Sequence, residues 1–125
     1  MPKYVDGFVL PVPKKNMNIY RRMAGMMAKM TKKYGALEYF ECVGDDLDPK
    51  MEGMQFTKFP QLANVKPGET VVFSFIVYKS RKHRDQVNAK IMKDPLMNDP
   101  KMKNKPMPFD MKRMAYGGFK TIVEL

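Results

Sequence analysis

Five side chains in this sequence could transfer a proton or hold a polar group: four lie on predicted strands, and the fifth shares a helix face with Val87 and Ile91. They are Asp6, Tyr39, Glu41, His83 and Lys120. A carboxylate enclosed by apolar strands has a raised pKa and can take part in acid–base chemistry. Phenol, imidazole and amine groups are its usual partners. The alternative for all five is a structural ion pair, a bond to the backbone or a place in solvent.

The sequence gives less support to a metal site, a haem site or a catalytic nucleophile than to acid–base chemistry. His83 is the only histidine and Cys42 the only cysteine, too few ligands for a structural zinc site. His83 is also the only imidazole that could ligate haem iron. Cys42 should point away from Tyr39 and Glu41, and His83 is the only base that could activate it. No phosphate loop, dinucleotide glycine pattern or paired metal carboxylates occur. The sequence therefore predicts neither a metal nor a cofactor.

Four strands and two helices are expected to position the candidates. Alternating or continuous apolar residues predict strands over 4–12, 37–43, 70–79 and 114–125. The first helix should run from an N-cap at Asn16 to Tyr34, with Gly35 following its C-terminus. Ser80 is expected to cap a second helix over 81–93, which places His83 in its first turn.

The connections are harder to assign. Residues 45–68 are too many for a bare loop, and we expect a short strand near 54–59 and a turn over 66–68. The proline-rich segment 95–110 should be ordered but irregular, with one helical turn, and could serve as a lid or as a plain connection. Gly117 and Gly118 suggest a bulge or the close approach of another backbone.

The element order β-α-β-β-α-β is that of the ferredoxin-like α+β fold, in which two helices cover one face of an antiparallel sheet. One domain spans residues 1–125. The first strand of this fold lies beside the third and fourth, so Asp6 and Lys120 are expected to pair. Strand 70–79 is apolar on both faces, so something must cover the sheet face that bears no helix. A second copy of the chain would do so and would form a dimeric α+β barrel.

Four blocks of sequence, residues 4–12, 35–43, 66–85 and 107–119, resemble the YbaA-like family of bacterial proteins, a domain of unknown function. The resemblance implies a fold similar to the dimeric α+β barrel proteins, and a homodimer. It implies no established activity. Cofactor-independent monooxygenases and haem-degrading enzymes share that barrel, so fold analogy allows at most a monooxygenase-like or isomerase-like activity.

Charge is unevenly distributed along the 125 residues, whose net charge is +10. Residues 14–33 carry seven basic groups and no acid, residues 36–56 carry six acids and one lysine, and residues 79–93 are again basic. Such blocks suit self-association as well as binding to a polyanion. The single cysteine, the lack of a signal-peptide pattern and the short apolar runs predict a soluble cytoplasmic protein without a membrane segment.

Three functions remain open from the sequence. The first is the binding or turnover of a small organic molecule in a pocket between the sheet and the helices. The second is non-specific binding to nucleic acid through basic helix residues, namely Arg21, Arg22, Lys32, Lys33, Arg81 and Lys82. The third is a structural or interaction protein without a pocket.

Overall fold

The computed structural model describes residues 2–125, in which four strands form a single antiparallel sheet. The strands are β1 (Tyr4–Pro13), β2 (Glu38–Val43), β3 (Glu69–Tyr78) and β4 (Ala115–Lys120). Their order is β2-β3-β1-β4, and every neighbouring pair is antiparallel. The predicted ferredoxin-like arrangement is confirmed, with β1 between β3 and β4.

Helix α1 (Met17–Lys33) follows a short 3-10 turn over Lys14–Asn16. Asn16 occupies the predicted N-cap position, but its side chain accepts no hydrogen bond from the first turn, and its amide nitrogen donates to the carbonyl of Pro108. The C-terminus follows the prediction. Gly35 has a φ of +106°, and the N–H groups of Gly35 and Ala36 bond the carbonyls of Lys32 and Thr31. These two bonds form a Schellman motif, in which glycine takes the left-handed position without a steric penalty.

Helix α3 (Arg81–Lys93) begins where the sequence predicts. The Ser80 hydroxyl accepts a hydrogen bond from the backbone N–H of His83 at 3.1 Å, which satisfies one of the free donors of the first turn. Val87 and Ile91 lie on the buried face of the helix. The helix therefore packs onto the sheet through these two residues, which are four positions apart and share one helix face.

The core lies between these two helices and one face of the sheet. Towards one end, Leu10 and Val72 of the central strands pack against Tyr20 and Ala24 of α1. Towards the other, the sheet and both helices contribute Met30, Ile76, Tyr78, Val87 and Ile91. Full burial of each large apolar side chain stabilises the fold by about 1.5–3 kcal/mol. Helix α1 thus contributes buried residues to both ends of the core, whereas α3 contributes only to the second.

The opposite face of the sheet carries no helix and remains largely apolar and exposed. Phe40, Phe73 and Phe119 are 47%, 42% and 62% exposed. Phe75 contacts both Phe40 and Phe73, with ring centroids 5.1 and 5.9 Å apart. We call this surface, centred on these four rings, the open face. Its presence confirms that β3 is apolar on both sides.

The connections and the last strand differ from the sequence-based expectations in two places. The short strand near 54–59 is wrong: residues 44–58 are irregular, and the one-turn helix α2 (Phe59–Leu62) follows them. The turn at 66–68 is confirmed, with Gly68 at a φ of +83°. The expected helical turn within 95–110 is α4 (Pro100–Lys103). The last strand ends at Lys120, five residues before its predicted end.

The glycine pair of β4 does not form a bulge. Gly117 and Gly118 continue the regular pairing with Gly7 and Asp6. A side chain explains the second glycine, because a Cβ atom at Gly118 would clash with the phenol of Tyr4. Within residues 2–125, no helix has the length and apolar character needed to cross a membrane.

Candidate functional site

The structure divides the five predicted residues among separate places. Tyr39 and Glu41 line a cavity between α1 and β2. Asp6 lies on the same face of the sheet but one strand further away, since Asp6 and Tyr39 pair with Ile76 from opposite sides. His83 and Lys120 do not line this cavity. The cavity is therefore the place where predicted groups and open space coincide.

This α1–β2 cavity has a volume of about 310 Å³ and opens to solvent. Its sheet wall is formed by β2 and the adjoining part of β3, and its other wall by α1. The lining residues are Met17, Tyr20, Arg21, Ala24, Gly25, Ala28, Tyr39, Glu41, Cys42, Val43 and Val72. The walls are mainly apolar, with a few polar groups that converge. This is the usual composition of a small-molecule site.

Three small residues on α1 create the space. Ala24, Gly25 and Ala28 line the cavity with little or no side chain. A Cβ atom at Gly25 would meet nothing within 4 Å. Glycine in a helix interior is destabilising by about 0.5–1 kcal/mol relative to alanine. Neither steric crowding nor a positive φ explains glycine here, and its effect is to keep the cavity wide.

The polar centre of the cavity is the carboxylate of Glu41. The Tyr20 hydroxyl donates to its Oε1 at 2.7 Å, and the Tyr39 hydroxyl donates to its Oε2 at 2.5 Å. Burial raises the pKa of both phenols, and the hydrogen bonds to Glu41 raise it further. Both tyrosines therefore remain neutral donors at physiological pH. They fix the orientation of the carboxylate relative to α1 and β2.

Asp6 forms a second polar centre, and its partner is not the predicted one. Its Oδ1 accepts a hydrogen bond from Arg84 Nη1 at 2.7 Å, and the Tyr116 hydroxyl lies 3.2 Å from its Oδ2. Burial raises the pKa of Asp6, and the Arg84 guanidinium partly offsets that effect. Lys120 is opposite Tyr4 in the sheet register. The expected Asp6–Lys120 pair is wrong because α3 brings Arg84 over the same strand position.

The Arg84 guanidinium is held from several sides at once. It bonds Asp85 through Nε at 2.7 Å and lies over the ring of Tyr4, 5.0 Å from the ring centroid. Its side chain is 13% exposed and that of Asp6 is 2% exposed. These contacts enclose the Asp6–Arg84 ion pair and hold both side chains in one conformation. The arrangement is typical of a structural ion pair.

His83 takes part in the start of α3. The backbone N–H of Lys79 donates to His83 Nδ1 at 3.0 Å, and the His83 ring packs edge-on against Tyr78. Burial lowers the pKa of His83, and the charge of Lys79 lowers it further. A neutral imidazole can accept at Nδ1, as this contact requires. In this geometry the His83 side chain connects the first turn of α3 to the end of β3.

Three further residues bond the predicted groups but are not indicated by the sequence. Tyr20, Arg84 and Tyr116 contribute the partners of Glu41 and Asp6. Tyr20 lies on the buried face of α1, where its ring resembles that of an ordinary core residue. One feature of the sequence could have identified Tyr20: it is a residue with a hydroxyl group on the helix that packs against β2, the strand that contains Glu41.

Comparison with known proteins identifies relatives along almost the whole chain. Residues 3–111 match the family described as "Protein of unknown function (DUF1428)". The uncharacterised protein YbaA of Escherichia coli (strain K12) is 44% identical over 123 residues, which cover 98% of both chains. YbaA of Shigella flexneri shows the same identity and coverage.

A solved structure supports the fold independently. A dimeric ferredoxin-like protein from an uncultured marine organism superposes with a TM-score of 0.60 and covers 100% of both chains, at 12% sequence identity. At this identity the likeness shows the ferredoxin-like fold alone. The sequence blocks that resemble the YbaA-like family are matched by relatives of that name. The chain belongs to the DUF1428 family of proteins of unknown function.

Proposed function

We propose that this protein binds a small organic molecule in the α1–β2 cavity. The observation that carries the proposal is the Glu41 carboxylate, held by two tyrosine hydroxyls in the wall of a cavity with free space beside it. A purely structural carboxylate would not need this space. At about 310 Å³, the cavity lies near the lower end of the usual range for ligand pockets. The ligand is accordingly small.

Substitutions at Gly25 test this proposal, because the position faces open space. Gly25→Leu should fill the cavity, whereas Gly25→Ala adds one methyl group and should raise the stability by about 0.5–1 kcal/mol. Ligand-observed NMR with neutral, cationic and anionic aromatic fragments is the measurement. We expect fragments that bind wild type and Gly25→Ala to lose binding to Gly25→Leu. Equal binding to all three proteins would contradict the proposal.

We also propose that two copies of the chain associate through the open face. Four phenylalanines with a shared apolar surface are unusual for a monomer. The exposed Phe59 of α2 extends this surface, with its ring centroid 6.2 Å from that of Phe73. The solved relative with this fold is described as dimeric. A self-complementary contact between two such sheets would bury all of these rings and leave both α1–β2 cavities accessible.

The basic surface of the helices favours a second candidate function, non-specific binding to nucleic acid. The charged residues of α1 are all basic, and Arg21, Arg22 and Lys32 are exposed. On α3, Arg81 and Lys82 are exposed as well. Affinity for random-sequence DNA should then fall steeply with salt. If no binding occurs even at low salt, this candidate is excluded.

A further inference from the structure

We propose that the α1–β2 cavity selects an organic amine, whose protonated amino group donates to Glu41 while its apolar body lies against α1. The proposal rests on the proposed binding function and names the ligand class for that site. The hydrogen-bond donors and acceptors around Glu41 determine which kind of head group can bind there.

The two phenols in the cavity have committed their hydroxyl protons. A tyrosine hydroxyl has one proton to donate, and those of Tyr20 and Tyr39 are directed at Glu41. A carboxylate offers about four lone-pair positions, so each Glu41 oxygen retains acceptor capacity. The phenol oxygens add further acceptors. A ligand that binds at this centre must therefore bring hydrogen-bond donors.

The negative charge of Glu41 favours a positively charged donor group on the ligand over a neutral one. Glu41 is the only acidic residue that lines the cavity, and a carboxylate ligand would meet repulsion there. An alcohol supplies one donor without charge, whereas an ammonium group supplies three donors and the complementary charge. Charge-assisted hydrogen bonds are roughly twice as strong as neutral ones. Arg21 also lines the cavity but is exposed, so solvent and salt screen its charge.

The apolar lining determines the rest of the ligand. Met17, Ala24 and Ala28 of α1 face Val43 and Val72 of the sheet across the cavity. This surface suits a compact aromatic or aliphatic group joined to the amine by a short linker. It offers few partners to a second strongly polar group. The structure thus favours a monoamine over a sugar or a nucleotide.

Isothermal titration with three matched compounds tests this inference. The compounds are 2-phenylethylamine, 2-phenylethanol and 3-phenylpropionate, which differ mainly in the head group. We expect wild type to bind the amine at least about tenfold more tightly than the alcohol, because an ion pair replaces a neutral hydrogen bond. The carboxylate should bind more weakly than either. Glu41→Gln should reduce the amine preference to about twofold or less.

Glu38→Gln is the matched control. It removes the same charge from the same strand, but at an exposed position in register with Val77 and on the open face. It should leave the amine preference unchanged. Tyr39→Phe keeps the carboxylate and should retain the preference. This variant and the wild-type ranking of compounds still decide the question if Glu41→Gln fails to fold.

Each remaining outcome has a definite meaning. If the three compounds bind wild type equally and Gly25→Leu abolishes all binding, the cavity is a ligand site but the amine proposal is wrong. If Glu38→Gln lowers the preference as much as Glu41→Gln does, the general electrostatic field is responsible and the proposal is also wrong. If none of the compounds binds wild type, the amine proposal is wrong, and the fragment measurements with the Gly25 variants decide the binding function separately.

Discussion

At the scale of single residues, the half-buried carboxylate of Glu41 and the buried carboxylate of Asp6 have different surroundings. Glu41 accepts from two neutral phenols beside open space, whereas Asp6 is enclosed with the charge of Arg84. A buried ion pair contributes little net stability, because desolvation offsets the Coulomb attraction. Removal of one member is costly, since the other charge is left buried without a partner. The Asp6–Arg84 pair should show this asymmetry.

We predict that Asp6→Asn destabilises the protein by about 3–5 kcal/mol, the usual cost of breaking a buried pair. Asp6→Asn combined with Arg84→Met should be less destabilised than Asp6→Asn alone, because it also removes the guanidinium that has lost its buried partner and keeps only the exposed Asp85. Urea denaturation of both variants and wild type provides the free energies of unfolding. Costs that simply add in the double variant would show that the two residues do not act as a pair.

At the scale of elements, a second ion pair connects the last irregular segment to the sheet. Arg113 lies in the 3-10 turn Met111–Arg113, directly before β4. It forms two hydrogen bonds with Glu69 at the start of β3, of 2.6 and 2.8 Å, and a third with the carbonyl of Asn64. These bonds fix the end of the segment that begins after α3.

This contact predicts a dependence of stability on pH. Arg113, helped by the N–H of Lys66, lowers the pKa of Glu69 to about 2 from an ordinary value of 4.5. Because the folded-state pKa is the lower one, the stabilisation is present above pH 4.5 and is lost as the pH falls towards 2. Thermal unfolding between pH 2 and 6 should show Glu69→Gln below wild type at pH 6 and close to it at pH 2. Parallel curves would contradict this assignment.

The sequence predicts local features of these elements well and non-local contacts poorly. Ser80 and Gly35 act on neighbouring backbone groups, so their cap positions follow from residue type alone. Glu41 is identified as a polar group on an apolar strand, but its partner Tyr20 lies on another element. Arg84 displaces Lys120 from Asp6 because the position of α3 over the sheet depends on packing throughout the core.

The short strand predicted near 54–59 does not form, for a related reason. The apolar residues of segment 44–58 suggest a strand, but in the described part of the chain they pair with neither edge strand of the sheet, β2 or β4. Met51, Met54 and Phe56 remain 54%, 60% and 42% exposed. Local propensity predicts which conformation a stretch prefers, whereas a strand also requires a neighbour.

At the scale of the whole molecule, the two faces of the sheet have different surroundings. The helices cover one face, and α1 forms the α1–β2 cavity with it, while the phenylalanines of the open face remain exposed. The proposed interface through the open face is sensitive to a buried charge, since a carboxylate without a partner cannot be desolvated cheaply. The proposed homodimer can therefore be tested at one central position.

We predict that Phe73→Asp converts the dimer into a monomer. Phe73 contacts both Phe59 and Phe75, so it lies within the aromatic surface. Met92→Asp is the control, because Met92 is 65% exposed but belongs to α3, away from the open face. Light scattering after size-exclusion chromatography should give the monomer mass for Phe73→Asp and the dimer mass for Met92→Asp. A wild-type monomer, or a dimeric Phe73→Asp protein, would contradict the proposed interface.

The central place of β1 also has a consequence for how the chain acquires its structure during synthesis. β1 leaves the ribosome first, yet both of its neighbours come later: Tyr4 pairs with Tyr78 and with Lys120. Until β3 has emerged, β1 has no neighbouring strand with which to pair. Folds dominated by such distant pairings form slowly, because the chain between the paired strands loses conformational entropy before the stabilising contacts form. The nascent chain therefore exposes an apolar strand until β3 has emerged, and chaperones that bind short apolar segments should find a target in β1.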